Sequence, residues 1–294
     1  MSGFTIRHIA AALGGKVTSS TSCNVPGPGH GKGDESLSVK IGRGGRLIVY
    51  SHAGDDWKAC RDYVLERLGL APDIPRHQRS PFIIVADNTD EERAKKQAAA
   101  LKIWHEAVSP AGTLVERYLR DHRCLDLPAD LAGAVIRFHG SLRFDEFTRK
   151  PAMVCLFRDI NTNEPCAIHR TFLDRETAQK IDRKMLGPVK GAAIKFGEIS
   201  GNMVGLTIGE GIETALSARA AGHSPAWALG SSGAVATFPV LKIAEISILE
   251  ENDPTSRRDV RTCLKRYLSS GKPVNIIRSH VGSDFNDAWK AMNR

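Results

Sequence analysis

The sequence predicts an α/β protein. Its last third forms a mainly parallel sheet with flanking helices, preceded by an α+β segment and a small Gly-rich β domain. Three observations carry this. After position 201, short apolar runs alternate with helix-length amphipathic runs, the signature of parallel strands joined by crossover helices. Between 133 and 173, β-branched and aromatic segments follow one another across turn residues, as antiparallel strands do. The first 70 residues are rich in glycine and read as short strands and turns closed by one helix.

Taken in order, residues 1–70 form the small β domain, with a closing helix over 57–68. The Pro-containing run APDIPRHQRS at 71–80 is a linker, and a charged helical segment over 89–107 continues into a second helix over 115–121, so that 71–125 is linker and helix. Residues 126–200 hold the strands VIRFHG, PAMVCLFRDI and EPCAIHRTFLD, with NTNEP a hairpin connection. A basic loop containing Lys180, Arg183, Lys184 and Lys190 follows. In 201–294, VGLTIGE, AWALG, ISILE and VNIIRS are strands. The helix between the last two places Val260, Cys263, Leu264, Tyr267 and Leu268 on one face, with Gly271 behind it.

Composition sets limits. No apolar run approaches the roughly 20 residues of a membrane span, and the amino terminus lacks a secretory signal core, so the expected location is cytoplasmic. The six cysteines are scattered without a CxxC pair, as in a reducing compartment. The net charge of +8 favours an anionic partner. Residues 201–294 carry 11 Lys+Arg against 9 Asp+Glu, net +2, which leaves +6 for the front of the chain.

Chemistry in parallel sheets collects at the carboxyl ends of the strands, and here those ends are acidic. Glu210 ends LTIG. Glu251 and Asp253 end ISILE before Pro254. Asp284 and Asp287 follow VNIIRS, and Glu213 is a sixth acid nearby. Clustered carboxylates repel and raise one another's pKa unless a cation neutralises them. Mg2+ or Mn2+ suits such oxygen donors and is commonly shared with substrate phosphates. Asp284 also fits a helix N-cap, and Glu213 fits compensation of a helix dipole.

The segments GEGIETALSA, EEND and GSDFND resemble the Toprim (Rossmann-like) domain of bacterial-type primases, topoisomerases and some nucleases. The resemblance is closest to the primase-like subfamily of phage, plasmid and integrative elements. It implies that Glu210 holds metal or manages protons, that Glu251 and Asp253 take the place of the family's DxD pair, and that Asp284 and Asp287 form the later acidic motif. Glutamate at 251 keeps the charge of that pair and lengthens the arm. Upstream, AIHRTFLDRETAQKIDRKMLGPVKGAAIKF resembles the segment before Toprim in these proteins, which implies phosphate and template contacts by Arg170, Lys184 and Lys190.

The front of the chain resembles the zinc-binding domain of bacterial-type primases. Cys23 and His30 stand at the first knuckle, while the second reads Ser51-His52-Ala53-Gly54-Asp55 without its cysteines. The ligand set Cys23, His30, His52 and Asp55 remains chemically acceptable to zinc, but a metal-free relic is the favoured reading. Lys40, Arg43 and Arg46 on its strands present a basic surface, and Cys60 is assigned to the core. GPGHGKGDES is not a phosphate loop, because Pro26 and Gly33 stand where Gly and Ser/Thr are needed.

The resemblance thus implies Mg2+-dependent nucleotidyl transfer that makes short RNA primers from ribonucleotides on single-stranded DNA, beside a separate helicase and no membrane. A Toprim nuclease and a non-catalytic nucleic-acid-binding accessory are the rival readings.

Overall fold

The computed structural model describes residues 5–42, 47–70, 85–86, 90–200 and 205–293. The 71–80 linker, Arg43 and Arg46 lie outside them. The chain divides into two compact units, Met1–Glu92 and Arg93–Arg294.

In the first unit, α1 (Ile6–Leu13) starts at Thr5, whose side chain caps the His8 N–H. Strands β1 (Lys16–Ser19), β2 (Ser22–Val25), β3 (Leu37–Ile41) and β4 (Leu47–Ser51) form an antiparallel meander, and β5 (Val85–Ala86) adds to β4 in parallel. Period-two alternation turns Cys23, Val25, Leu37, Val39, Leu47 and Val49 inward. There they pack with α1 and with Cys60 and Val64 of α2 (Trp57–Arg67).

The second unit carries α3 (Asp90–Glu106) and a short α4 (Leu114–Arg117) that runs on into a π-helical turn, Tyr118–His122. One sheet of nine strands organises the rest. Its antiparallel half holds β6 (Ile136–Arg143), β7 (Arg149–Asp159), β8 (Pro165–Leu173) and β9 (Lys180–Leu186). Its parallel half holds β11 (Leu206–Gly209), β12 (Ala226–Ala228), β13 (Ile246–Glu250) and β14 (Val274–Arg278), in the order β14-β13-β11-β12. Strand β10 (Ala192–Phe196) joins them, antiparallel to both β7 and β12. Helices α5 (Ile212–Ala220), α6 (Ser232–Ala236), α7 (Pro254–Ser269) and α8 (Phe285–Met292) connect or follow the parallel strands.

The strands and helices expected after 201 are present, with α6 as an addition. The NTNEP hairpin is present too. Asp159 accepts from the Asn161 and Thr162 N–H groups, and Asn163 takes a positive φ of 62°. The basic loop is a correction. Residues 180–186 form β9, paired to β8 with Arg170 opposite Lys184 and Thr171 opposite Arg183. An edge strand tolerates charge, because its outer side faces water.

Apolar side chains cover both faces of the antiparallel half. One face packs on α3 through Ala100, Trp104, Val154, Leu156, Ile168 and Phe172. The other buries Met153, Cys155, Phe157, Ala167 and Leu173 against the π-helical turn and α5.

Candidate active site

Glu210 follows β11 directly, and its backbone carbonyl accepts from the Gly230 N–H, just after β12, at 2.9 Å. Its side chain is mostly buried and accepts from the Arg183 guanidinium at 3.5 Å. Burial raises the Glu210 pKa above the usual carboxylate range. Arg183 opposes this, while the charges on Asp253 and Asp259 add to it. Glu251 follows β13, and its N–H donates to Ser256 Oγ at 2.9 Å. Its pKa is pushed up to about 7, first by burial and then by the charges of Glu210, Asp284 and Asp253.

Asp253 caps α7, with Oδ1 accepting from the Thr255 and Ser256 N–H groups at 2.8 and 3.0 Å. Asp284 caps α8 by accepting from the Asp287 N–H at 2.9 Å. The two strand-end loops meet where the Asn252 N–H donates to the Ser283 carbonyl at 2.8 Å. Glu210, Glu251, Asp253 and Asp284 therefore share one electrostatic field. Asp287 stands apart, accepting from the Ser283 N–H and Oγ at 2.9 Å and lying 3.6 Å from Lys290. Gly282, at φ 70°, packs against that side chain, where any Cβ would collide with it.

The chemistry of this set fits a hard divalent cation. The donors are all carboxylate oxygens, and their mutual repulsion, visible in Glu251, is what a cation relieves. Asp253 keeps Oδ2 free of its capping bonds. Among the described residues, no three His, Cys, Asp or Glu side chains already stand close enough to enclose a metal. Mg2+ does not require such a cage, since it is usually held by one or two carboxylates, with water and phosphate completing the shell.

Two residues named from the sequence without a definite role carry more weight in the structure. Arg183 meets Glu210, whereas its strand neighbour Lys184 points to the other face, as alternation requires. There Lys184 Nζ donates to the Phe144 carbonyl at 2.5 Å and lies 4.3 Å from the Phe144 ring. Arg170, paired with Lys184, stacks toward Phe172 at 5.8 Å and donates to the Met185 carbonyl at 3.2 Å, with Nε buried and unpartnered. Arg170 and Lys184 thus stand across the sheet from Glu210. Lys190 is exposed in the turn before β10.

The second residue is Glu213. It is buried and accepts from Lys180 Nζ at 3.0 Å and from the Tyr118 hydroxyl, which accepts in turn from Arg123 Nε at 2.9 Å. Burial alone would raise its pKa, but Lys180, the Tyr118 hydrogen bond and Arg123 outweigh burial and hold it down at about 2. This pair ties β9 to α5. The charge density of KIDRKML marked Arg183 only as one of several cations. Glu213 was marked as an acid near the strand ends, but its partners were not, because Lys180 and Tyr118 lie 33 and 95 residues away.

In the first unit, the four candidate zinc ligands do not converge. Cys23 is fully buried in the apolar core, and burial lifts its thiol pKa to about 11. His52 is exposed and packs edge-on to Tyr50. Only His30 and Asp55 approach, at 3.3 Å, within a network where His30 Nδ1 lies 2.7 Å from Asp34 and Ser51 Oγ donates to Asp55 at 2.8 Å.

Comparison with known proteins agrees with the carboxyl-terminal geometry. Residues 205–293 match the model of the Toprim domain, and this part of the chain is a Toprim domain. Residues 94–196 match a domain of unknown function (DUF7146). No curated protein matches by sequence.

Among solved structures, the primase fragment of the bacteriophage T7 primase-helicase protein is similar at 14% identity and a TM-score of 0.37, covering 54% of this chain. This chain spans 63% of that fragment, less than two thirds of its length. The Aquifex aeolicus primase (zinc binding and RNA polymerase domains) aligns over 100% of this chain and 83% of its own at 11% identity, TM-score 0.43. The E. coli primase catalytic core aligns over 68% and 76% at 11% identity, TM-score 0.44.

Proposed function

We propose that the protein is a primase-like nucleotidyltransferase that joins ribonucleotides into short primers on single-stranded DNA. The observation that carries this reading is the contact between Arg183 of β9 and Glu210 of the Toprim edge. It sets a phosphate-binding cation against a carboxylate cluster in a single sheet. A nuclease of the same metal chemistry has no need of a basic antiparallel half beside the acids.

In the proposed reaction, a 3′-hydroxyl oxygen forms a bond to the α-phosphorus of an incoming nucleotide. The bond to the β-phosphate oxygen breaks, and pyrophosphate leaves with the electron pair. Mg2+ or Mn2+ bound at Glu210, Glu251 and Asp253 would neutralise phosphate charge and polarise the reacting oxygens. Arg183 binds and orients the polyphosphate. Glu210, whose pKa burial raises, holds the metal or, in its stead, takes the hydroxyl proton on its carboxylate. Glu213, through Lys180, holds β9 so that Arg183 keeps its position. A separate helicase would open the duplex.

The test offers purified protein single-stranded DNA, labelled ribonucleotides and Mg2+. Template-dependent short RNA is expected from the wild type, and its loss in E210Q. Equal product from E210Q contradicts the assignment of the site. Cleavage of DNA without nucleotides moves the reading to a nuclease, and DNA binding without any turnover moves it to an accessory protein.

A further inference from the structure

The turn joining β6 to β7 holds two phenylalanines with opposite fates. Phe144 is tucked inward, its ring 5.0 Å from that of Phe172 in an edge-on contact, and its carbonyl accepts from Lys184. Phe147 is 90% exposed. Such exposure of a large ring gains nothing for folding, since burial is the source of its stabilisation.

The turn is nonetheless rigid. Phe144 N–H donates to the Thr148 carbonyl at 2.9 Å, and Asp145 Oδ1 accepts from the Phe147 and Thr148 N–H groups at 2.9 and 2.8 Å. Asp145 Oδ2 accepts from Thr148 Oγ1 at 2.7 Å. The exposed ring is therefore held out on a fixed mount.

The neck of the hairpin adds a second, independent observation. Arg143 and Arg149 are direct cross-strand partners. Like charges directly opposite each other are unfavourable, and neither has an acid within ion-pair distance among the described residues. Both are anchored on backbone, Arg143 on the Asp145 carbonyl at 3.1 Å and Arg149 on the Ser141 carbonyl at 2.7 Å. Lys150 and Lys184 lie 5.6 and 4.3 Å from the Phe144 ring. Four cations thus surround a turn with two carboxylates, Asp145 and Glu146, and Asp145 spends its oxygens within the turn.

We propose that the β6–β7 hairpin is a binding site for single-stranded DNA, in which Phe147 stacks on an unpaired base while Arg143 and Arg149 contact the flanking phosphates. An exposed ring among unpaired cations matches a polyanion with free π-faces, since stacking supplies sequence-tolerant affinity and the cations track the backbone. A protein surface would satisfy the ring and leave the guanidiniums without purpose. The inference rests on the reading that single-stranded DNA is the template. It also gives Lys184 a part in that reading, since its bond to Phe144 fixes the hairpin against β9, one residue from Arg183.

The test is fluorescence anisotropy of labelled oligo-dT with the full chain, without metal or nucleotides, comparing wild type, F147A and F147W, with thermal melting of each. F147A is expected to weaken binding about tenfold, F147W to bind as the wild type, and all three to melt alike. The loss should be equal at low and high salt, because no charge is removed. F147A binding within twofold of wild type, or an equal loss on duplex DNA, overturns the proposal while leaving the E210Q test of nucleotidyl transfer untouched. Tighter binding of oligo-U than oligo-dT overturns the assignment to DNA in favour of RNA. No oligo-dT binding by the wild type overturns the proposal and the template reading together.

Discussion

At the scale of single residues, two carboxylates of the site region have structural duties that substitutions can separate from chemistry. Asp253 caps α7 through Oδ1. Asn caps as well as Asp, whereas Ala costs about 1 kcal/mol. D253N should therefore melt like the wild type and lose the rise in Tm that Mg2+ gives it, while D253A should lose both. Calorimetry with and without Mg2+ distinguishes these outcomes, and a full Mg2+ response in D253N would contradict a metal role.

Glu213 has a depressed pKa of about 2. Its contribution to stability is present above its ordinary value of 4.5 and is lost as pH falls toward and through about 2. Removing one partner of a buried ion pair costs about 3–5 kcal/mol, and the partial exposure of Lys180 sets the expectation near the lower end, about 3 kcal/mol, for E213Q at neutral pH. Urea unfolding should show this loss narrowing between about pH 4.5 and 2. A loss that stays constant across that range would contradict the ionised assignment.

At the scale of elements, β9 decides which cations meet the acids. KIDRKML carries charge at four of its seven positions, so its hydrophobic pattern is faint and it reads as a loop. Its alternation is real, with Ile181, Arg183 and Met185 more exposed than Asp182, Lys184 and Leu186. A one-residue step in a strand moves a side chain to the opposite face. That step separates Arg183 from Lys184. R183A should lower the rate of nucleotide incorporation about a hundredfold, the usual cost of losing a donor aimed at developing charge. R170A should leave the rate at saturating template near that of the wild type. Steady-state incorporation measures both, and the reverse ranking would contradict the placement of β9.

The parallel elements were legible for the opposite reason. LTIG, ISILE and VNIIR are apolar runs with acids at or after their ends, and the helices that follow the last two are capped by Asp253 and Asp284. The acids were visible because strand ends are visible. The partners of Glu213 and the network around His30 were not, because they join residues distant in sequence or replace a family pattern with other chemistry.

At the scale of the whole molecule, continuity of the sheet through β10 is what turns two half-sites into one. β10 pairs with β7 on one side and β12 on the other, so the basic antiparallel half and the acidic Toprim half share a single frame. The sequence announced each half but not the join, because AAIKF is too short and too polar at Lys195 to stand out among its neighbours. A crystal soaked with Mn2+ and a ribonucleoside triphosphate tests this frame most directly. The account predicts anomalous density for Mn2+ among Glu210, Glu251 and Asp253, with the phosphates reaching Arg183. Mn2+ bound away from these carboxylates, or phosphates held on the Arg170 face, would contradict it.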